Sequence, residues 1–304
     1  MFVIAYALLV GLCIGSFLNV CIARWPHDLS VVSPRSRCPK CAHEITWWEN
    51  IPVVSWIALR ARCRGCGLPI SPVYPLIELA VGITWALCAW KFGATFTALR
   101  VAVFLTILTG IAITDLQSYL IPDGFTITGL LWALGTAFAA PFLGEGYRDI
   151  LFVGPYDALI GACTAAGLIA IIGWLGEAAL KKEAMGMGDM TLMAFVGAAL
   201  GPAKGIATVF LGATIGALVF LLVVYPIVLL RRKTAPVASA APAEPAEAGS
   251  AGNDEPLVSP ESADGGGAAT ELPLVPFGVF LAPAAVIMLL WGDALLARFG
   301  IVIQ

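Results

Sequence analysis

Apolar residues run along this chain in long unbroken blocks, separated by short polar breaks. Residues 1–23 carry no charged side chain. Further apolar stretches follow at about 73–90, 95–114, 124–144, 158–176, 190–203, 205–230 and 272–292. A membrane-spanning helix needs about 20 such residues, so the pattern predicts an all-α, polytopic membrane protein with about eight transmembrane helices. The sixth stretch, 190–203, is the short one and is expected to be tilted or packed among its neighbours. The alternating polarity of a transmembrane β-barrel is missing, because the runs are continuous. The first run lacks the basic start and the small-residue cleavage site of a signal peptide and is read as a span.

Composition agrees with the pattern. Of the 304 residues, 60% are hydrophobic and 12% charged, and the mean hydropathy is +0.91. A soluble domain carries roughly 25% charged residues, so a single soluble domain is excluded and lipid is an expected partner. A net charge of −3 gives no reason to expect nucleic acid. The basic residues are unevenly placed. With eight spans, twelve Lys and Arg (in the 24–72 loop, after the fifth span and after the seventh) lie on the side opposite the termini and five on the termini's side, which makes the twelve-residue side cytoplasmic. Arg100, near one end of the third span, is expected to snorkel toward the interface. Residues 234–271 hold seven acidic residues, no basic ones, and much Ala, Pro, Gly and Ser, the composition of a disordered linker. The expected organisation is a first span (1–23), a polar loop (24–72), a membrane core (73–233), the acidic linker (234–271) and a last span (272–304).

Four of the eight cysteines, Cys13, Cys21, Cys88 and Cys163, fall in apolar runs and read as small buried residues. The other four form two C-x-x-C pairs in the polar loop: Cys38 with Cys41, and Cys63 with Cys66. Two such pairs about 20 residues apart match a zinc ribbon, each supplying two thiolates to one tetrahedron. A reducing cytoplasmic location disfavours disulfides. Four thiolates leave no open coordination position, so the zinc is expected to be structural. His43 is an alternative ligand, read more simply as a polar surface residue. Trp47, Trp48 and Trp56 are expected to pack the loop or meet the membrane surface.

Three acidic residues sit at membrane depth, where ionisable groups are costly and usually functional. Asp115 ends the third span, Asp189 precedes the sixth, and Glu78 lies inside the second. The topology brings Asp115 and Asp189 to the same face. Two carboxyls held together share one proton, so that one activates water and the other protonates a carbonyl. Gly186 and Gly188 would let an extended peptide approach Asp189. The plainer readings are an interfacial residue or turn cap for Asp115 and a helix N-cap for Asp189. Glu78 is expected to pair within the bundle, with Asn19 as a partner, and Asp123 to cap the fourth span. A proton- or cation-coupled transporter using the same carboxylates, or a non-enzymatic assembly platform, fits the composition equally well.

The motifs resemble those of the type IV prepilin peptidases, which are intramembrane aspartic peptidases of the G-x-G-D type. The resemblance runs through Gly15-Ser-Phe-Leu-Asn-Val20, Pro34-Arg-Ser-Arg-Cys-Pro-Lys-Cys41, Asn50-Ile-Pro-Val-Val-Ser-Trp56, Tyr74-Pro-Leu-Ile-Glu-Leu79, Gly186-Met-Gly-Asp189 and Pro276-Phe-Gly278. It implies Asp115 and Asp189 as the catalytic pair. It also implies cleavage of the basic leader of prepilins and type II secretion pseudopilins at the cytoplasmic face of the bacterial inner membrane. Methylation of the new N-terminus from S-adenosylmethionine would follow, at a site the motifs do not locate. Two positions depart from the family pattern: Thr191 stands where many members have lysine, and Ala61 where many have glycine.

Overall fold

In the computed structural model, residues 1–143, 151–181, 185–227, 276–298 and 300 are described. The expected linker at 234–271 lies outside them. The chain divides into two units, one comprising residues 1–218 and 276–304, the other 219–275. The first unit holds α1 (Phe2–Arg24), α2 (Val54–Ala58), α3 (Val73–Phe92), α4 (Phe96–Ser118), α5 (Asp123–Ala139), α6 (Pro155–Leu180), α7 (Met187–Val219) except its last residue, and α8 (Gly278–Arg298). The described part of the second unit contains a π-helical turn, Phe220–Val224. Among the described residues there is no β-strand, only two isolated bridges in the polar loop.

Among the described residues, seven helical stretches are long and apolar enough to cross a membrane. The longest, Met187–Ile227, has 41 residues. A straight helix of that length would extend about 60 Å, twice the hydrocarbon core. It is not straight. Gly201 breaks it with φ 83° and ψ 177° just before Pro202. A Cβ placed on Gly205 would lie 3.2 Å from the Cα of Gly197. Eight residues of continuous helix would separate those atoms by about 12 Å, so α7 folds back on itself as a hairpin. Its two arms account for the sixth and seventh apolar stretches. Positive φ excludes most residues at Gly201, and a side chain there would also strike Val153.

Close backbone contact recurs where several glycines face a neighbouring helix, as expected where lipid gives helices no hydrophobic reason to associate. Gly11 and Gly15 of α1 lie four apart on one face. A Cβ on the first would meet the Cα of Gly82 at 2.9 Å, and one on the second the Cα of Glu78 at 2.7 Å. On α6, a Cβ at Gly161 would run into the carbonyl oxygen of Gly197. The buried core is formed by residues such as Phe104, Ile111, Phe195, Leu281 and Leu289.

One expectation for a charged residue is corrected, and one ion pair is new. Arg100 does not snorkel: it is 2% exposed, with its guanidinium 4.3 Å from the centre of the Phe152 ring. Cation–π contact lets a guanidinium remain inside, at the end of a helix bundle. Lys204, at the start of the second arm of α7, is also buried, and its Nζ lies 2.9 Å from the carboxylate of Asp293 on α8. This pair was not anticipated. Its signal was two opposite charges, each isolated within an apolar run.

Candidate active site and metal centre

Asp115 occupies the last turn of α4, which ends when Tyr119 turns left-handed and its N–H bonds back to the Asp115 carbonyl at 2.9 Å. Ile121 and Pro122 then lead into α5. Asp189 lies in the first turn of α7, two residues inside its start at Met187, so it is not the N-cap. Its own N–H bonds to the carbonyl of Gly186 at 3.2 Å. Both carboxyls are almost wholly buried, 4% exposed for Asp115 and 9% for Asp189. They lie within electrostatic reach of each other.

Ile121 packs against the glycines beside both acids, Gly188 and Gly278. A Cβ on Gly188 would stand 2.8 Å from the Ile121 Cβ, and one on Gly278 would stand 2.8 Å from its Cδ1. Gly188 is therefore small because Ile121 fills the space, not because a peptide needs it. Among the described residues, the nearest atom to a Cβ on Gly186 would be the Gly188 nitrogen at 4.0 Å. The third participant is α8. The N–H of Val279 donates to Oδ2 of Asp115 at 2.9 Å, and a Cβ on Gly278 would come within 2.7 Å of the same oxygen. Asp189 differs, since its Oδ1 is buried and has no hydrogen-bond partner among the described residues. Thr191, where many members of the resembled family have lysine, turns its hydroxyl to the Gly188 carbonyl at 3.1 Å. Asp123 is the first residue of α5, with Pro122 at the cap.

Glu78 does not pair with Asn19. Its Oε2 accepts the N–H of Val53 at 2.7 Å, tying the polar loop to the second turn of α3. Asn19 donates instead to the Tyr74 carbonyl at 3.1 Å. Val53 itself has φ 60° and ψ −47°, a strained region for a β-branched residue.

The polar loop contains a structural repeat that was not apparent in the amino-acid pattern. Ser36 to Ile45 and Ala61 to Ile70 fold alike. Cys38 N–H bonds to the His43 carbonyl and Cys63 N–H to the Leu68 carbonyl; Ala42 closes on Cys38 as Gly67 closes on Cys63. The bridges Arg37–Glu44 and Arg62–Pro69 match, and Ala42 and Gly67 share a left-handed φ of 55° and 72°. The two knuckles face each other. Cys38 Sγ lies 3.7 Å from Cys66 Sγ, and Cys41 Sγ 3.9 Å from Cys63 Sγ, with all four within 4.8 Å. A tetrahedron with Zn–S bonds of about 2.3 Å has edges of about 3.8 Å, so the four sulfurs fit one zinc ion. The N–H groups of Cys41 and Lys40 pull the Cys38 thiol down to about 6. The amide of His43 favours a thiolate at Cys41 too, but desolvation and the other three sulfurs push it up to about 11. Crowded sulfurs ionise together only around a cation.

His43 is not part of that set; its Nε2 is 3.2 Å from Oε2 of Glu49. Glu49 closes a capping box with Thr46, readable in the sequence as Thr-Trp-Trp-Glu. Of the three tryptophans, Trp47 is exposed, Trp48 lies beneath the Arg64 guanidinium at 4.8 Å, and Trp56 Nε1 donates to the Ile70 carbonyl. Ala61 has φ 56°, which accounts for the glycine that many members of the resembled family carry there.

Comparison with known proteins matches residues 9–92 to the bacterial peptidase A24 N-terminal domain and residues 102–221 to the type IV leader peptidase family. A prepilin leader peptidase/N-methyltransferase of Myxococcus xanthus is 43% identical over 195 residues, which are 64% of this chain and 55% of that protein. Proteins of the same name from Stutzerimonas stutzeri and Pseudomonas aeruginosa are 32% and 31% identical. Those alignments cover 96% and 94% of this chain and 92% and 89% of the relatives. No solved structure matches.

Proposed function

From the premise that the chain belongs to the type IV leader peptidase family, we propose that it is a membrane aspartic endopeptidase acting on prepilins and pseudopilins. Asp115 and Asp189 are its catalytic pair. The observation that carries this reading is their convergence: two carboxyls 74 positions apart in the chain are both buried beside Ile121 and within electrostatic reach. Burial of two acids side by side is costly unless one proton is shared. The ionised carboxylate takes a proton from water as the water oxygen attacks the scissile carbonyl carbon. The protonated carboxyl gives its proton to the carbonyl oxygen. When the tetrahedral intermediate collapses, the C–N bond breaks and the departing nitrogen is protonated. No covalent enzyme intermediate forms.

Gly186 carries no side chain and no described atom crowds it, which suits an extended peptide next to Asp189. The basic leader then lies on the cytoplasmic side, which is the side of the twelve basic residues. The enzyme is placed in the bacterial inner membrane. Cys38, Cys41, Cys63 and Cys66 hold a structural zinc, which supplies a cross-link between the two knuckles and no chemistry at the acids. Methylation of the new N-terminus from S-adenosylmethionine rests on the name of the relatives alone. Incubating detergent-purified protein with a prepilin and labelled methyl donor tests both activities by mass spectrometry of the products. Ion flux in vesicles without cleavage would support the transporter reading instead.

A further inference from the structure

We propose that the first two backbone amides of α8 form a clamp on the active site. The clamp fixes Asp115 as the ionised, water-activating carboxylate and leaves the shared proton on Asp189. The proposal rests on the carboxyl-pair reading above and deepens it by giving each acid a separate role.

The first helical hydrogen bonds of α8 are made by Phe280 and Leu281, both to the carbonyl of Phe277. The N–H groups of Gly278 and Val279 precede them and have no acceptor within the helix. Val279 gives its hydrogen to Oδ2 of Asp115 at 2.9 Å, and the amide of Gly278 faces the same carboxyl. Asp115 is nearly inaccessible, so water does not compete for those donors. Amides at a helix N-terminus, reinforced by the helix dipole, stabilise an anion. Asp189 has one amide facing it, from Gly186, and its Oδ1 is buried with no partner among the described residues. An oxygen without a donor of its own is the better place for a proton, and a protonated carboxyl is what must reach the substrate carbonyl.

The approach needs glycine at 278. A side chain there would press on Asp115 Oδ2 and on Ile121 together. This gives the Pro276-Phe-Gly278 motif a physical role: it delivers a helix start without side-chain bulk to the carboxylate. Gly278 and Val279 are positioning residues, acting through Asp115.

The test uses the full-length enzyme in detergent with a prepilin substrate. Val279→Pro deletes one N–H where proline is tolerated, in the first turn of a helix, and Val279→Ala keeps it. Removing a hydrogen bond to a charged group predicts a fall in kcat of about ten- to a hundredfold for Val279→Pro with KM unchanged. Val279→Ala should keep the wild-type kcat, and Gly278→Ala, which keeps every N–H but displaces the carboxylate, should behave like the proline variant. Equal rates for Val279→Pro and Val279→Ala, or a rise in KM with kcat intact, would overturn the clamp. If Val279→Pro does not fold, Gly278→Ala decides alone: full kcat overturns the clamp. Infrared spectra test the roles. The carbonyl stretch of a protonated carboxyl should persist in Asp115→Asn and vanish in Asp189→Asn. The reverse pattern, or loss in both, overturns the assignment. Inactive Asn variants beside a fully active Val279→Pro would remove the clamp and leave the pair standing. An active Asn variant would remove the pair itself.

Discussion

Replacing Cys66 by serine should release the metal and unfold the polar loop while the membrane helices stay intact. The loop has almost no core with which to resist. From Trp25 to Pro72 the residues that are buried are Cys38 and Glu49, and one of these is itself a sulfur ligand. Structural zinc sites contribute about 10–16 kcal/mol of apparent binding free energy at neutral pH. Disturbing a residue that only supports a ligand costs about 10–100-fold in affinity. Deleting a primary ligand, and with it the 3.7 Å edge between Cys38 and Cys66, should therefore cost more than about 100-fold. Elemental mass spectrometry of protein purified under reducing conditions should find about one zinc per wild-type chain and a fraction of that in Cys66→Ser. Trypsin should then cut faster at Arg60, Arg62 and Arg64, which are exposed but, when folded, lie in turns where the Arg60 N–H bonds to the Ile57 carbonyl and the Arg62 N–H to the Leu59 carbonyl. Wild-type protein free of zinc after purification without chelators would refute the reasoning. So would a Cys66→Ser protein with a full complement of metal.

Three further outcomes are expected. Gly197→Ala should destabilise the bundle by about 1–3 kcal/mol through overpacking, because its Cβ would strike the Gly161 backbone; Gly167→Ala, with nothing nearby, should be neutral or stabilising by up to about 1 kcal/mol. Thermal unfolding in detergent separates the two. Ala61→Gly should stabilise the loop by roughly 1 kcal/mol by relieving its left-handed backbone, read as slower zinc loss to a chelator. The Thr46 N–H, with the Thr46 hydroxyl and His43, holds the Glu49 carboxyl below its ordinary value of 4.5. That depressed value means stabilisation is complete above pH 4.5 and lost as pH falls through the folded value. The stability difference between wild type and Glu49→Gln should thus be flat at neutral pH and shrink in acid; a difference that grows in acid would contradict the assignment.

Much of the architecture was legible because lipid enforces a simple code. The stretch 73–90 became Val73–Phe92, and 95–114 became Phe96–Ser118, since a run of apolar residues at membrane depth must be helical to satisfy its own backbone. The paired cysteines were legible because metal geometry fixes their spacing. What was hidden depended on backbone contacts that no side chain advertises. The Val279 N–H on Asp115 carries no mark in the amino-acid pattern, and Gly188 is small for the sake of Ile121, far from it in the chain. Arg100 misled for a related reason: a charge near a span end ordinarily reaches for water, whereas this one is buried with its guanidinium over the Phe152 ring.

The central claim is that Asp115 and Asp189 together cleave a leader peptide. The direct measurement is processing of a full-length prepilin by the purified enzyme and by Asp115→Asn and Asp189→Asn, each checked for expression and zinc content. The account predicts cleavage by the wild type and none by either variant, with folding and metal unchanged. Leader removal at the normal rate by either variant would contradict it.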